Sequence, residues 1–491
     1  MSLFIERASL FILFLSVIFA ALAQGVVDAW SVAALECLGG LLILLWAGKI
    51  FVDSKIEITL PKLIFPILAF FFLGLLHCLA FAGSDGAVVS LSSDVEATRK
   101  TVFLFFFLLF ELFIGVQLFH SKKRLLLLTN FLVIYGLAMA MFALIQHFTW
   151  NGKFYWIKPN KLGVSPFGPF VSHNHFAGYM EMLIPLSLAM MLKRQATREA
   201  RLFYGFAGLV MSVAAIASLS RGGLLSLCAL VCFLAIGKWS LSRFSQERES
   251  RRSDSLAMTK HGNVPAVRRG RSLQARQIVP KFIKGALVAA AVLVALFVAF
   301  VWVGPDRVTN RLTSGKIVSA NQQDETFYSS RGWIWQDSWD MIKANPLFGV
   351  GIGAYETTFP IYTKTNGAII VGQTHNDYLQ VLADAGIIGA VIAGWFIVLA
   401  MREIWRGIKR RDATLSAIAL GSGAGVFAIF IHSIFDFNLQ LPSNILLFFL
   451  LVVMVAQSAA IEVVRDRKMM TGGNQLQQLP ASSAKAIRLP I

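Results

Sequence analysis

The chain has 491 residues, of which 56% are hydrophobic and only 15% are charged, whereas a soluble globular protein carries about 25% charged residues. Its mean hydropathy is +0.66, and 45 Lys and Arg against 27 Asp and Glu give a formal net charge of +18. This composition excludes a soluble enzyme and a disordered protein, and in so apolar a chain the positive charge indicates membrane topology rather than nucleic-acid binding.

Twelve apolar runs are long enough to cross a bilayer, which takes about 20 mostly apolar residues. With the N-terminus inside, 33 of the 45 Lys and Arg fall on the inner side and 12 on the outer side, so we expect both termini in the cytoplasm. The predicted fold is an all-α polytopic membrane protein with about twelve transmembrane helices. The first run is predicted to be a span, not a signal peptide, because it lacks a clear cleavage site. The runs are 8–24, 29–48, 63–82, 101–119, 125–148, 174–192, 202–219, 222–237, 285–303, 386–400, 413–434 and 444–461.

The chain divides into six predicted parts. Residues 1–237 hold transmembrane helices 1–8, and 238–284 form a basic cytoplasmic loop, which we expect to be flexible and to touch anionic lipid. Residues 285–303 form transmembrane helix 9 and lead into a large, partly helical outer loop at 304–385. Transmembrane helices 10–12 occupy 386–461, and 462–491 are predicted to be a disordered cytoplasmic tail. The outer loop between spans 9 and 10 is where we expect the chemistry.

Two polar clusters stand at the outer ends of spans. The first contains His173, Asn174 and His175. Two His at i and i+2 do not share a helix face, so hydrogen bonding to sugar or phosphate, or helix capping, is favoured over a metal site. In the second, Arg221 precedes paired glycines that let backbone N–H groups turn toward an anion. Arg221 either holds an anionic ligand or reaches lipid phosphate.

The outer loop contains a helical pattern at 331–346, which Pro346 ends. Read as a helix, it places Arg331, Trp335 and Ile342 on one face. Three Trp within seven residues suit a helix that lies at the level of the lipid headgroups. Arg331 is interpreted either as a headgroup anchor or as a ligand for an anion in a site. A flexible turn is predicted before Tyr355 by Gly349, Gly351 and Gly353.

The end of the outer loop contains His375 at a predicted helix start. Thr374 followed by Asp377 resembles a capping box, which would place His375 in the first helical turn. The positive end of the helix dipole disfavours imidazolium there, and a neutral imidazole can act as a general base. Free N–H groups at the same helix end can bind phosphate oxygens. The alternative is a surface histidine in a helix cap.

Three acidic residues lie within predicted spans, and hydrogen bonds between helices explain them, since a protonated Glu can make such bonds. They are Glu36, Glu111 and Glu181. Glu181 is the strongest functional candidate because it shares a span with the histidine cluster. The four cysteines lie inside apolar runs and form neither a disulfide framework nor a zinc site. We expect no metal and no cofactor. Gly421 and Gly425 predict a close contact between helices.

Two arginines and a helix-cap histidine on the outer side suggest a lipid-linked diphosphate as substrate. Each arginine can pair with phosphate in bidentate geometry, and a neutral His can take a proton from an attacking hydroxyl. The predicted reaction is displacement of the diphosphate by an alcohol. Further candidate substrate-binding residues are His173, Asn174, His175, Tyr355, Asn376 and Asp377.

These residues lie in stretches that resemble the O-antigen ligase and O-antigen polymerase superfamily of bacterial inner membranes. The stretches are SLSRGG at 218–223, SRGWIWQDSWDMIKANPLFGVGIGAYE at 330–356 and THNDYLQVLADAGIIG at 374–389, with support from GPFVSHNHFAGYMEMLIPLSL at 168–188 and HSIFDFNLQLPSN at 432–444. The first five spans resemble only generic helices.

The resemblance implies an inverting, metal-independent glycosyltransferase of the inner membrane, whose active site faces the periplasm and whose donor is an undecaprenyl-diphosphate-linked glycan. The family's essential residues fall on Arg221 and Arg331, which would bind the diphosphate and stabilise charge on the leaving group, and on His375, which would activate the acceptor hydroxyl. Implied partners are the donor, a glycan or lipid A core acceptor, membrane lipids, and export or chain-length proteins; nucleic acid is not expected.

The acceptor stays open at this point. A polymerase adds glycan to another lipid-linked glycan, whereas a ligase adds it to lipid A core sugar, and the motifs are shared. The stretches around Asn174 and Asp436 favour a polymerase of an O-antigen-like or exported polysaccharide. Two alternatives from other classes are a transporter of polysaccharide or lipid, and a structural partner in an export complex.

Overall fold

The computed structural model describes residues 1–53, 55–82, 88–159, 166–260, 331–364, 370–461 and 486–490. The predicted span 285–303 lies outside these residues, as do the second half of the basic loop, the first part of the outer loop and most of the tail. The helices are α1 (Ser2–Leu22), α2 (Ala29–Val52), α3 (Ile64–His77), α4 (Val95–Leu118), α5 (Lys122–Phe148), α6 (His173–Met191), α7 (Arg198–Ala217), α8 (Arg221–Lys260), α9 (Gly332–Ala344), α10 (Tyr355–Thr358), α11 (Asp377–Ile408), α12 (Ala413–His432) and α13 (Pro442–Ala460). Short 3-10 turns span Phe359–Ile361 and Asn438–Gln440.

Six short strands form three antiparallel pairs: β1 (Lys55–Thr59) with β6 (Ala486–Pro490), β2 (Ala80–Ala82) with β3 (Val88–Ser90), and β4 (Lys153–Phe154) with β5 (Lys158–Pro159). In the first pair, Lys55 lies opposite Pro490 and Thr59 opposite Ala486. The prediction of a wholly disordered tail is therefore wrong for 486–490, where isoleucine and leucine alternate with smaller or polar residues in a strand-like pattern.

Among the described residues, nine helices are long and apolar enough to cross a membrane. Eleven of the twelve predicted spans overlap a described helix, and the twelfth, 285–303, lies outside the described residues. Of these eleven helices, α3 and α6 are not among the nine. The predicted span 63–82 contains only α3, whose 14 residues extend about 21 Å, less than the roughly 30 Å of a bilayer core. The chain then turns into β2, so this part of the prediction was too long.

The basic loop 238–284 was predicted to be flexible from its start, and this is wrong for its first half. Helix α8 continues without interruption from Arg221 to Lys260. The stretch 238–260 contains no Gly or Pro, and more than half of its residues are Arg, Lys, Glu, Gln, Leu, Met or Ala, which are good helix formers. The lack of apolar periodicity in this stretch was therefore not sufficient to predict a flexible loop.

Helices α6, α12 and α13 form the centre of the bundle, and α12 and α13 are almost wholly buried. The predicted glycine contact is confirmed, since Gly421 and Gly425 bring the backbone of α12 against that of α6. A Cβ at Gly421 would lie 2.9 Å from the carbonyl oxygen of Pro185, and one at Gly425 would lie 2.8 Å from that of Met182. Small residues permit this approach where larger ones would separate the helices.

Loops meet at two ends of the bundle. At the end predicted to be cytoplasmic, Glu6 pairs with Lys49 at 2.8 Å and with Arg124 at 3.1 Å. At the other end, the Ser443 N–H donates to the Gly25 carbonyl at 3.4 Å. The second end also contains the residues predicted to perform the chemistry.

The described part of the outer loop forms a small unit with its own apolar core, made of Trp333, Ile334, Met341, Ile342, Val350, Ala354, Tyr355, Phe359, Val371 and Ala383. Helix α9 ends at Ala344 as Pro346 predicts. Its buried face includes Trp333 and Ile342, whereas Trp339 is exposed and Trp335 is half-buried. Trp333 therefore packs inside the protein and cannot contact lipid, whereas the position of the helix at the level of the headgroups stays a prediction.

Helix α11 is broken at Gly386, whose φ of +61° and ψ of −160° are not helical. The turn after α9 satisfies the freed backbone groups. The N–H groups of Val350 and Gly351 donate to the carbonyls of Ala383 and Asp384 at 2.8 and 3.0 Å. The turn, predicted to be flexible, is tightly packed because its glycines at 349, 351 and 353 all adopt positive φ against neighbouring backbone or side chains.

Candidate active site

The carboxylate of one residue contacts two of the predicted site residues at the end of the bundle that is predicted to face outward. Asp436 lies in the turn between α12 and α13, and its side chain is only 2% exposed. Its Oδ1 is 3.3 Å from Nδ1 of His375, and its Oδ2 is 3.4 Å from a terminal nitrogen of Arg331. The same guanidinium donates to the carbonyl of Phe435. His375 and Arg331 are thus joined through a residue to which the sequence assigned no role.

The neighbours of Asp436 keep it ionised. Burial raises the pKa of this carboxyl, but the hydrogen bond from His375 and the positive charge of Arg331 outweigh burial and hold the pKa well below its ordinary value. An ionised carboxylate only accepts hydrogen bonds, so Nδ1 of His375 must be the donor. The lone pair of the neutral imidazole is then on Nε2, which is the tautomer of a histidine that acts as general base.

His375 lies just before α11 and not in its first turn, so that prediction is wrong. The N-cap is Asn376, whose side-chain oxygen accepts from the N–H groups of Tyr378 and Leu379 at 3.0 and 3.1 Å. Asn at this position captures two free N–H groups and replaces the predicted capping box of Thr374. The φ of His375 is +56°, which is uncommon for a residue with a side chain.

Two contacts hold the backbone that leads into His375. The indole N–H of Trp335 donates to the Thr374 carbonyl at 2.9 Å, and the Thr374 N–H donates to the side-chain oxygen of Gln380 at 2.8 Å. Unusual backbone conformations persist only where surrounding contacts impose them. Helix α9 therefore contributes to the site through both Arg331 and Trp335.

Asp377 ties the start of α11 to the turn that contains Asp436. Its Oδ2 accepts from the Ser433 hydroxyl at 2.7 Å and from the Leu439 N–H at 3.2 Å. Asp377 and Asn376 are both engaged in the scaffold of the site, and their contact with substrate stays a prediction.

The predicted histidine cluster borders this site at His175. The ring of Phe437 packs against the imidazoles of His175 and His375, with centroids 4.7 and 4.8 Å apart and nearly perpendicular planes. His173 and Asn174 are half-buried in the first turn of α6. A substrate-binding role for the three residues stays a prediction.

Arg221 is the first residue of α8, and its side chain is exposed. The Ser220 hydroxyl accepts from the Gly223 N–H at 3.1 Å and caps the helix. A Cβ at Gly222 would lie 3.1 Å from the Cβ of Phe435, the residue whose carbonyl accepts from Arg331. The turn at 435–436 is therefore approached by α8 on one side and by Arg331 on another.

Tyr355 is part of the outer-loop core, and among the described residues it makes no hydrogen bond to His375, Arg331 or Asp436. Its hydroxyl and that of Ser338 are 2.7 Å apart, and its ring stacks on Phe359 with centroids 5.2 Å apart. Burial raises the pKa of this phenol. These contacts indicate a structural role for Tyr355, and its predicted contact with substrate stays a prediction.

Residues 206–394 match the family model described as O-antigen ligase. This stretch of the chain is therefore similar to the O-antigen ligase family, which supports the superfamily resemblance found in the sequence motifs. The matched region contains Arg221, Arg331 and His375. No curated protein matches the chain significantly. The match, together with the nine long apolar helices of the described residues, supports a multi-pass membrane enzyme of the glycosyltransferase type.

Sequence reasoning missed Asp436 and Trp335 as parts of the site. Asp436 had a signal, since it is an acidic residue in a short apolar turn between two spans, four residues after His432. Such a carboxylate needs a partner, but its partners stand 61 and 105 residues away. Trp335 had been interpreted only as an interfacial aromatic residue.

Proposed function

We propose that this protein, which resembles the O-antigen ligase family over residues 206–394, is an inverting, metal-independent glycosyltransferase. It would move an undecaprenyl-diphosphate-linked glycan onto an acceptor hydroxyl at the periplasmic face of the bacterial inner membrane. The observation that supports this most directly is the cluster of His375, Asp436 and Arg331, in which a carboxylate orients an imidazole beside a guanidinium.

In the proposed reaction, Nε2 of His375 removes the proton of the acceptor hydroxyl. The hydroxyl oxygen attacks the anomeric carbon of the donor sugar from the face opposite the diphosphate. The new glycosidic bond forms as the bond from carbon to the diphosphate oxygen breaks, and the diphosphate leaves with the bonding electrons. Asp436 stabilises the imidazolium that His375 becomes, as a buried carboxylate does in other histidine-dependent enzymes.

Arg221 and Arg331 would bind the diphosphate and stabilise the charge that it gains on leaving. Arg331 is half-buried and turned toward the site by Asp436 and the Phe435 carbonyl, which leaves part of its guanidinium for a ligand. Arg221 is exposed at the N-terminus of α8, where free N–H groups also favour phosphate oxygens. Replacement by Lys should not restore full transfer because an ammonium cannot pair in bidentate geometry.

The acceptor is most simply another lipid-linked glycan, so that the protein polymerises O-antigen-like or exopolysaccharide repeat units. This proposal rests on the sequence stretches around Asn174 and Asp436. The alternative is a ligase that transfers the glycan to lipid A core.

The test is incubation of purified protein with lipid-linked glycan, with and without lipid A core. Products that keep the polyprenyl anchor support the polymerase, and products anchored on lipid A support the ligase. His375→Ala should abolish both, whereas His120→Ala, at the exposed inner end of the bundle, should not. Normal transfer by His375→Ala would contradict the mechanism. Movement of the glycan lipid without bond formation would favour a transporter.

A further inference from the structure

A second pair of histidine and carboxylate lies beneath the first turn of α8. His432 is the last residue of α12, and Glu181 lies two turns into α6. Their side chains are both fully buried, and Nδ1 of His432 is 3.0 Å from Oε2 of Glu181. Neither residue contacts His375 or Arg331 by a hydrogen bond among the described residues, so the proposed reaction does not use the pair directly.

The pair forms the surface on which the first turn of α8 rests. A Cβ at Gly222 would lie 3.0 Å from Nε2 and Cδ2 of His432, and a Cβ at Gly223 would lie 2.9 Å from Oε1 of Glu181. Both distances are shorter than ordinary van der Waals contact. The two glycines therefore let the backbone next to Arg221 touch the pair directly.

Stability alone does not account for these two residues. Oε1 of Glu181 and Nε2 of His432 have no hydrogen-bond partner among the described residues. Unsatisfied buried polar atoms are costly, and apolar residues of similar volume are often at least as stabilising as a buried ion pair. A polar pair at this place therefore calls for a reason other than packing.

We propose that Glu181 and His432 are positioning residues that hold Arg221 in place for the diphosphate of the donor. The inference rests on the proposed function. Whether the proton lies on the carboxyl or the imidazole, the pair with Nε2 protonated has no net charge, which is the state that full burial favours. An uncharged pair does not compete with the diphosphate for the guanidinium of Arg221, whereas an unpaired, negatively charged Glu181 carboxylate would attract it.

The probe is undecaprenyl diphosphate, and the readout is its dissociation constant with the full-length protein in lipid nanodiscs. Glu181→Ala should weaken binding by about tenfold or more, since small displacements of a binding group are costly. Glu181→Gln keeps a hydrogen bond to His432 without charge, so it should bind within about threefold of the wild type. If Glu181 acts through Arg221, the double variant with Arg221→Ala should bind no more weakly than Arg221→Ala alone.

A second variant tests the contact without touching the pair. Gly222→Ala should weaken diphosphate binding because its Cβ would push the turn away from His432. The same Cβ would also lie 3.1 Å from the Cβ of Phe435, so if the effect runs through Arg221, the loss should be absent when Gly222→Ala is combined with Arg221→Ala. The matched control is Gly394→Ala in α11, where a Cβ would meet nothing within 4 Å, and it should bind as the wild type does. Thermal unfolding of each variant checks that the protein is folded.

Wild-type affinity in Glu181→Ala or in Gly222→Ala would overturn the proposal, and so would an additive loss in the double variant with Arg221→Ala. These results are distinguishable from failure of the proposed function, in which the wild-type protein itself would not bind undecaprenyl diphosphate.

Discussion

Asp436→Asn tests the link between the carboxylate and the two residues that it joins. Oδ1 of Asp436 accepts from both His375 and the Phe437 N–H, the latter at 2.9 Å, whereas Oδ2 faces Arg331. The amide oxygen of Asn should keep the place of Oδ1 because two donors point to it. Its NH2 group would then face the guanidinium, another donor. The change therefore keeps the tautomer of His375 but removes the negative charge.

The size of the expected fall in kcat follows from the interactions that Asn keeps. A hydrogen bond to a charged group contributes about 1.5–3 kcal/mol, and about 1.4 kcal/mol corresponds to a tenfold change in rate. We expect kcat to fall by about 10- to 100-fold, because the imidazolium loses its counter-charge. The fall should be smaller than the roughly 10⁴-fold seen when such a change produces the wrong tautomer.

The assay is glycan transfer by purified protein at saturating donor. The matched control is Asp340→Asn, which removes a carboxylate on α9 that pairs with Lys343 and Lys364 at 3.2 Å each, away from His375. We expect normal kcat from the control because such exposed pairs contribute little. An unchanged kcat in a folded Asp436→Asn protein would refute the role assigned to this carboxylate.

The depressed pKa of Asp436 also predicts a pH dependence of stability. A carboxyl whose pKa is lower in the folded state stabilises the fold at pH values above its ordinary pKa, about 3.9, and this contribution is lost as the pH falls. The wild type should therefore unfold at a higher temperature than Asp436→Asn at pH 7, and the difference should narrow between about pH 5 and pH 3. A constant difference over this range would show that Asp436 is not held ionised by its neighbours.

Two further substitutions should reduce the stability of the fold and the kcat, respectively. Gly386→Ala would place a Cβ 2.4 Å from the carbonyl of Leu347 at a φ of +61°, so it should destabilise the fold by about 3 kcal/mol or more, measured by thermal unfolding, whereas Gly394→Ala should not. Trp335→Phe removes the hydrogen bond to the His375 segment and should lower kcat by about tenfold, measured by glycan transfer, whereas the same change at the exposed Trp339 should leave it unchanged.

Most spans could be predicted because the signal for a membrane helix is local. An apolar run of sufficient length satisfies the bilayer whatever lies elsewhere in the chain. The exceptions have local causes too. α3 is short because the chain turns into a strand after His77, and α8 continues past 237 because nothing in 238–260 breaks a helix.

The site could be predicted only in part, because its contacts join distant parts of the chain. Arg331 and His375 stood out as an arginine and a histidine in folded outer segments, and the family resemblance assigned them roles. Their connection through Asp436 depends on how α12 and α13 bring one turn against α9 and α11. The periodicity and spacing of residues in a single sequence do not predict such contacts between distant parts of the chain.

The break in α11 at Gly386 could not be predicted for the same reason, since it depends on contacts with a distant turn. Sequence reasoning placed the start of a span at 386, and the structure has a helix on both sides of that residue. The break is stable because the turn at 346–351 donates to and accepts from the freed backbone groups. Irregular backbone near a membrane persists only where protein satisfies it. The same turn therefore supports the helix that follows His375.

In the proposed reaction, the charges at the site would favour a leaving group that becomes more negative. If His375 accepts the acceptor proton as a neutral base and the pair of Glu181 and His432 is uncharged, Arg221 and Arg331 exceed Asp436 by one positive charge. Transfer of the acceptor proton to His375 adds a second positive charge as the diphosphate gains negative charge. An arrangement fixed before the reaction stabilises such a change without reorganisation. The sequence predicts that the overall charge of +18 lies mainly on the inner face. Salt screens exposed charges over a Debye length of about 10 Å, and the bilayer core is about 30 Å thick. The charges of the inner face therefore contribute little to the electrostatics of the site.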